Sequence, residues 1–79
     1  MQPEAIRELI QAALPDAQVQ VLGDDGVHFE ALIVSEAFRG KLPLARHRMV
    51  YAALGERMGG EIHALSLRTL TPDEAGAAR

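Results

Sequence analysis

Residues 29–34, Phe-Glu-Ala-Leu-Ile-Val, constrain this chain more than any other stretch. Phe29, Ala31 and Ile33 fall on one face of an extended strand, while Leu32 and Val34 fall on the other. A strand that is apolar on both faces belongs in the interior of a sheet, with a neighbour on each side. The chain has 79 residues, which leaves room for one core, so a single domain over residues 1–79 is expected.

The neighbours of that strand are legible on both sides. Before it, Val19 and Val21 alternate with Gln18 and Gln20, and Gly23-Asp24-Asp25-Gly26 supplies turn residues, which together predict a hairpin. After it comes the loop "SEAFRGK", and Pro43 then opens a helix expected to run to about Met58 and to stop at Gly59-Gly60. Its inner face is predicted to carry His47, Val50, Tyr51, Leu54 and Met58. A third strand is expected over "EIHALSLRTL", residues 61–70.

Helices close both ends of the pattern. Pro3 and Glu4 suit a first turn, and Ile6, Leu9, Ile10, Ala13 and Leu14 make one apolar stripe that ends at Pro15. Thr71-Pro72-Asp73-Glu74 offers a cap, a proline at the first helical position and an acid at the third. The order is therefore α-β-β-α-β-α, an α+β fold with a three-stranded mixed sheet and the first two helices on one face. The expected core is Ile6, Leu9, Ile10, Val19, Val21, Phe29, Ile33, Val50, Tyr51, Leu54, Leu65 and Leu67. A strand-helix-strand unit in one sheet makes the second and third strands parallel, so both start at the same end. His28 and His63 stand at those two starts.

Composition narrows the chemistry. With no cysteine, the chain has neither disulfides nor thiolate ligands of its own, and any iron–sulfur site needs donated sulfur. A net charge of −3 works against bulk attraction to nucleic acid or anionic membrane. "MQPEAIRELI" has no basic segment leading into an apolar run, and no apolar run approaches a spanning helix, so a cytoplasmic protein with no membrane association is expected. The isolated chain is expected to be a monomer. No nucleophile and base share a motif, and no glycine-rich phosphate loop occurs, so no enzyme is expected. Ser35 is read as an ordinary strand-end residue and Ser66 as an ordinary strand residue.

The segments "SEAFRGKLPLARHRMVY" and "EIHALSLRTLTPDE" resemble the BolA family, through their Ser-x-x-Phe-x-Gly, Arg-His-Arg and Ile-His-Ala-Leu elements in register. The resemblance spans the hairpin through the last helix. It implies a fold like the second type of KH domain, which agrees with the element order above. It also implies partnership with a monothiol glutaredoxin in a heterodimer, with a [2Fe-2S] cluster shared through glutathione and none held by the isolated chain. The family's cluster-ligand histidine in the Ile-His-Ala element matches His63 here. An imidazole can replace thiolate on one iron and raises the reduction potential.

The other candidates divide by their surroundings. A second ligand in the family comes from the loop between the first two strands, where His28 is the candidate; its plain alternative is a solvent-facing polar residue opposite Phe29. Asp24 and Asp25 are explained by turn formation, and His47 by packing on the buried stripe. Arg39, Lys41, Arg46 and Arg48 gather around the start of the second helix, as a solvated face or as a surface for glutathione carboxylates, an acidic partner or phosphates. The alternative function is a DNA-binding transcriptional regulator using those cations, since the family is also described as regulating transcription. The clamping Gly-x-x-Gly loop of KH modules is missing, however: Gly55, Gly59 and Gly60 are wrongly spaced.

Overall fold

A computed structural model describes residues 1–62 and 64–77; His63, Ala78 and Arg79 lie outside the described residues. The elements are α1 (Pro3–Ala13), β1 (Gln18–Leu22), β2 (His28–Val34), α2 (Pro43–Leu54), β3 (Ala64–Leu70) and α3 (Pro72–Ala77). Two single 3-10 turns, Glu36–Phe38 and Gly55–Arg57, flank α2. The order α-β-β-α-β-α is as the sequence predicts. Among the described residues no helix is long and apolar enough to cross a membrane.

The sheet has the order β1-β2-β3, with the doubly apolar strand at its centre. β1 pairs antiparallel with β2, Val19 opposite Ile33. β2 pairs parallel with β3, from His28 opposite Ala64 to Val34 opposite Leu70. Phe29, Ala31 and Ile33 point to the covered face and pack with Ile6 and Ile10 of α1 and Val50 and Leu54 of α2. Glu30, on the other face, is exposed, and Leu32 and Val34 there are half-buried.

Local chemistry explains the boundaries. One side chain of α1 gathers the connection that follows the helix: Gln11 Nε2 lies 3.3, 3.2 and 2.8 Å from the carbonyl oxygens of Leu14, Pro15 and Ala17, which accept from its amide. Asp16 then ties this connection to the end of β2, because Ser35 Oγ donates to its carboxylate at 3.0 Å and Glu36 N donates to it at 3.0 Å. Ser35, read from the sequence as an ordinary strand-end residue, is buried and also caps the 3-10 turn by accepting from Ala37 N at 3.1 Å. The predicted cap of α3 forms as a reciprocal pair, with Thr71 N donating to Glu74 Oε1 at 2.9 Å and Glu74 N to Thr71 Oγ1 at 3.3 Å.

Three expectations need correction. First, α2 ends at Leu54, not at Met58, because Gly55 takes φ +59° and ψ −134°, a conformation in which a helix cannot continue and which a side chain disfavours. Second, the expected third strand loses its start: Ile62 bridges Met58, and its N–H and carbonyl bond Arg57 O and Gly59 N at 2.9 and 2.8 Å, closing a tight turn ahead of β3. Third, the buried face of α2 is Arg46, Val50 and Leu54; Tyr51 is 39% exposed and His47 half-buried. The stripe is rotated toward Arg46 because that guanidinium is satisfied inside the fold.

Candidate functional site

Parallel pairing brings the starts of β2 and β3 to one end of the sheet, with His28 directly opposite Ala64. An open recess lies there on the helix-free side, walled by Asp24, His28, Glu30, Ala64 and Ser66. His63, expected to be a cluster ligand, lies outside the described residues; in the chain it immediately precedes Ala64. His28 belongs to the described part and stands well out in solvent, its side chain 72% exposed.

The hairpin turn orients His28. Asp25 Oδ1 accepts from the N–H groups of Val27 and His28 at 2.9 and 2.8 Å, and its other oxygen lies 2.7 Å from His28 Nδ1. The N–H of His28, its ring and the N–H of Val27 hold the Asp25 carboxyl well below the usual carboxylate range. Asp25 therefore does more than form the turn assigned to it from sequence: it fastens a histidine ring three residues away. The signal was present as an Asx residue just before a strand-initiating histidine, but turn propensity alone explained it. The pattern, an imidazole whose second nitrogen engages a carboxylate, is the support that metal-binding histidines commonly carry.

The four predicted cations do not form one surface. Arg46 is 8% exposed and its donors are engaged: Nε donates to Lys41 O at 2.7 Å, and Nη1 to Thr69 O and Glu74 Oε1 at 3.2 and 2.6 Å. Its guanidinium carbon lies 6.0 Å from the centroid of the Phe38 ring. The expectation that Arg46 serves a partner is corrected accordingly: burial between α2, β3 and α3 removes it from the surface. Arg39 is exposed but forks onto Glu36 and reaches Asp73 at 3.0 Å, which raises its pKa further above the ordinary arginine value. Lys41 and Arg48 are exposed and make no ion pair with the described residues.

A family model described as BolA-like protein matches residues 8–74. The chain belongs to the BolA family. Of the solved structures similar to this BolA-family chain, a bolA protein homologue from Coxiella burnetii has a TM-score of 0.85 at 44% identity, with 96% of this chain and 97% of that one covered. The human BolA-like protein 1 is 38% identical over 77 residues, which are 86% of this chain but 56% of the human protein. The chain thus spans little more than half the length of that relative. A third relative, from Escherichia coli K12, is named the DNA-binding transcriptional regulator BolA and is 34% identical over 80 residues, covering 90% of this chain and 76% of that one.

Proposed function

We propose that this BolA-family protein is a partner of monothiol glutaredoxins in iron–sulfur trafficking or iron regulation, sharing a glutathione-dependent [2Fe-2S] cluster in a heterodimer. The observation that carries this reading is the Asp25–His28 pair beside the paired starts of β2 and β3. The donor set fits such a cluster. The chain has no thiolate, so it contributes imidazole from His63 and His28 while the glutaredoxin and glutathione contribute sulfur. The cluster, when bound, supplies one-electron chemistry and a transferable iron–sulfur unit. What this chain supplies is placement: a ring held by a carboxylate at the rim of an open recess that a partner's surface can approach.

The competing reading, duplex binding, is favoured by the name of the Escherichia coli relative. Electrostatics work against it, because two of the four candidate cations are paired with acids and one of those is buried. Two exposed cations release few counterions from a phosphate backbone, and the affinity they provide is weak and salt-sensitive.

One experiment separates the two. The protein is mixed anaerobically with a monothiol glutaredoxin, glutathione and assembled cluster, and visible circular dichroism is compared with that of the glutaredoxin homodimer. A distinct heterodimer spectrum that disappears with His63→Ala is the expected outcome. A wild-type spectrum in that variant overturns the ligand role, and a duplex shifted at low salt by cluster-free protein favours the regulator.

A further inference from the structure

The contact between Asp25 and His28 contains more information than proximity. A carboxylate can only accept hydrogen bonds, and both Asp25 oxygens are already used as acceptors: Oδ1 by the N–H groups of Val27 and His28, Oδ2 by the ring. A ring nitrogen 2.7 Å from Oδ2 must therefore carry the hydrogen, which places it on Nδ1. In a neutral imidazole only one nitrogen is protonated, so the lone pair falls on Nε2, which has no hydrogen-bond partner among the described residues.

We propose that Asp25 is a positioning residue that locks His28 in the Nδ1–H tautomer and so makes Nε2 the atom offered to iron. The proposal rests on the ligand role given above to His28 and adds the cause of its competence. The two halves of the carboxylate have separate duties. Oδ1 builds the turn by binding two backbone N–H groups, which fixes where Oδ2 stands, and Oδ2 sets the ring. The imidazole is otherwise exposed, so nothing else among its described contacts selects one tautomer over the other.

The separation of duties makes Asp25→Asn diagnostic. The asparagine carbonyl can still accept from Val27 and His28, keeping the turn, but an amide NH2 then faces Nδ1 as a donor. The ring must answer as an acceptor at Nδ1 and carry its hydrogen on Nε2, which occupies the ligating lone pair.

The tautomer is read from imidazole nitrogen shifts by long-range 1H–15N NMR on the isolated chain near pH ~8, where free imidazole is neutral. His28 should show a pyrrole-type Nδ1 and a pyridine-type Nε2 in the wild type and the reverse in Asp25→Asn. Backbone amide shifts outside the hairpin report that the variant is folded. In parallel, cluster half-life is measured in the complex with monothiol glutaredoxin and glutathione, where Asp25→Asn should shorten it as much as His28→Ala does. A His28 ring with the same tautomer in wild type and Asp25→Asn overturns the proposal alone. A tautomer that reverses as stated, with half-lives unchanged in both variants, overturns the ligand role of His28 and the positioning role with it.

Discussion

Arg46 of α2 and Glu74 of α3 meet as a two-pronged ion pair, Nη1 to Oε1 at 2.6 Å and Nη2 to Oε2 at 3.2 Å, across 28 positions of sequence. The guanidinium is buried while the carboxylate is partly exposed, at 10% and 45% of their side-chain surfaces. Removing the carboxylate strands a desolvated cation, and removing the cation takes away the donor that Arg46 supplies to the Lys41 and Thr69 carbonyls. Arg46→Ala should lower Tm by on the order of 10 °C in a domain of this size. Arg46→Lys should recover only part of that, since an ammonium cannot present a planar fork. Differential scanning calorimetry of both variants measures it.

The same pair gives the protein an acid limit. Hydrogen bonds from Arg46 first, then from the Thr71 N–H, lower the Glu74 pKa to about 2. Because the folded value lies below the unfolded one, the stability it contributes is present above about pH 4.5 and is lost as the pH falls toward 2. Glu4, Asp25 and Glu36 are lowered as well and act in the same direction, so the wild type is compared with Glu74→Gln. The gap between their urea midpoints should be widest near pH 6 and close between pH 4.5 and 2. A gap that stays constant contradicts the assignment.

Phe38 is fully buried in the 3-10 turn before α2, beneath the Arg46 guanidinium. Phe38→Ala opens a cavity that the sheet and α2 cannot collapse onto together, and should cost about 3–5 kcal/mol in denaturant unfolding.

Gly23 is required by space. A Cβ there would stand 2.6 Å from Phe29 Cδ1 and 2.8 Å from the His28 carbonyl oxygen, and the Phe29 ring is itself 2% exposed. Neither neighbour can give way cheaply, so Gly23→Ala should cost about 1–3 kcal/mol and shift the His28 and Phe29 amide resonances. Among the described residues a Cβ at Gly26 meets nothing within 4 Å, so the cost of Gly26→Ala comes from its φ of +76° and should be about 1–2 kcal/mol, with β2 resonances undisturbed.

For the cluster proposed above to be shared with a glutaredoxin, half-life should fall in the order wild type, His28→Ala, His63→Ala. His28 stands at the exposed rim, where water or the neighbouring Asp24 can substitute at an iron. Decay of the visible absorbance under one buffer condition gives the order, and equal half-lives for wild type and His28→Ala place the second ligand elsewhere.

Sequence determined what depends on residues a few positions apart. The central place of β2 followed from apolar residues on both its faces, the parallel start of β2 and β3 from the helix between them, and the cap of α3 from Thr71 and Glu74 three residues apart. Tertiary structure decided what depends on partners that folding alone brings together. Periodicity could not place Arg46 on the inner face of α2, because a cation there is tolerable only once Glu74 arrives from α3. Ser35 acquired its role from Asp16, 19 positions away. Asp25 is the intermediate case: its spacing from His28 was visible, but only the path of the backbone through the turn decided that one oxygen would face the ring while the other bound the chain.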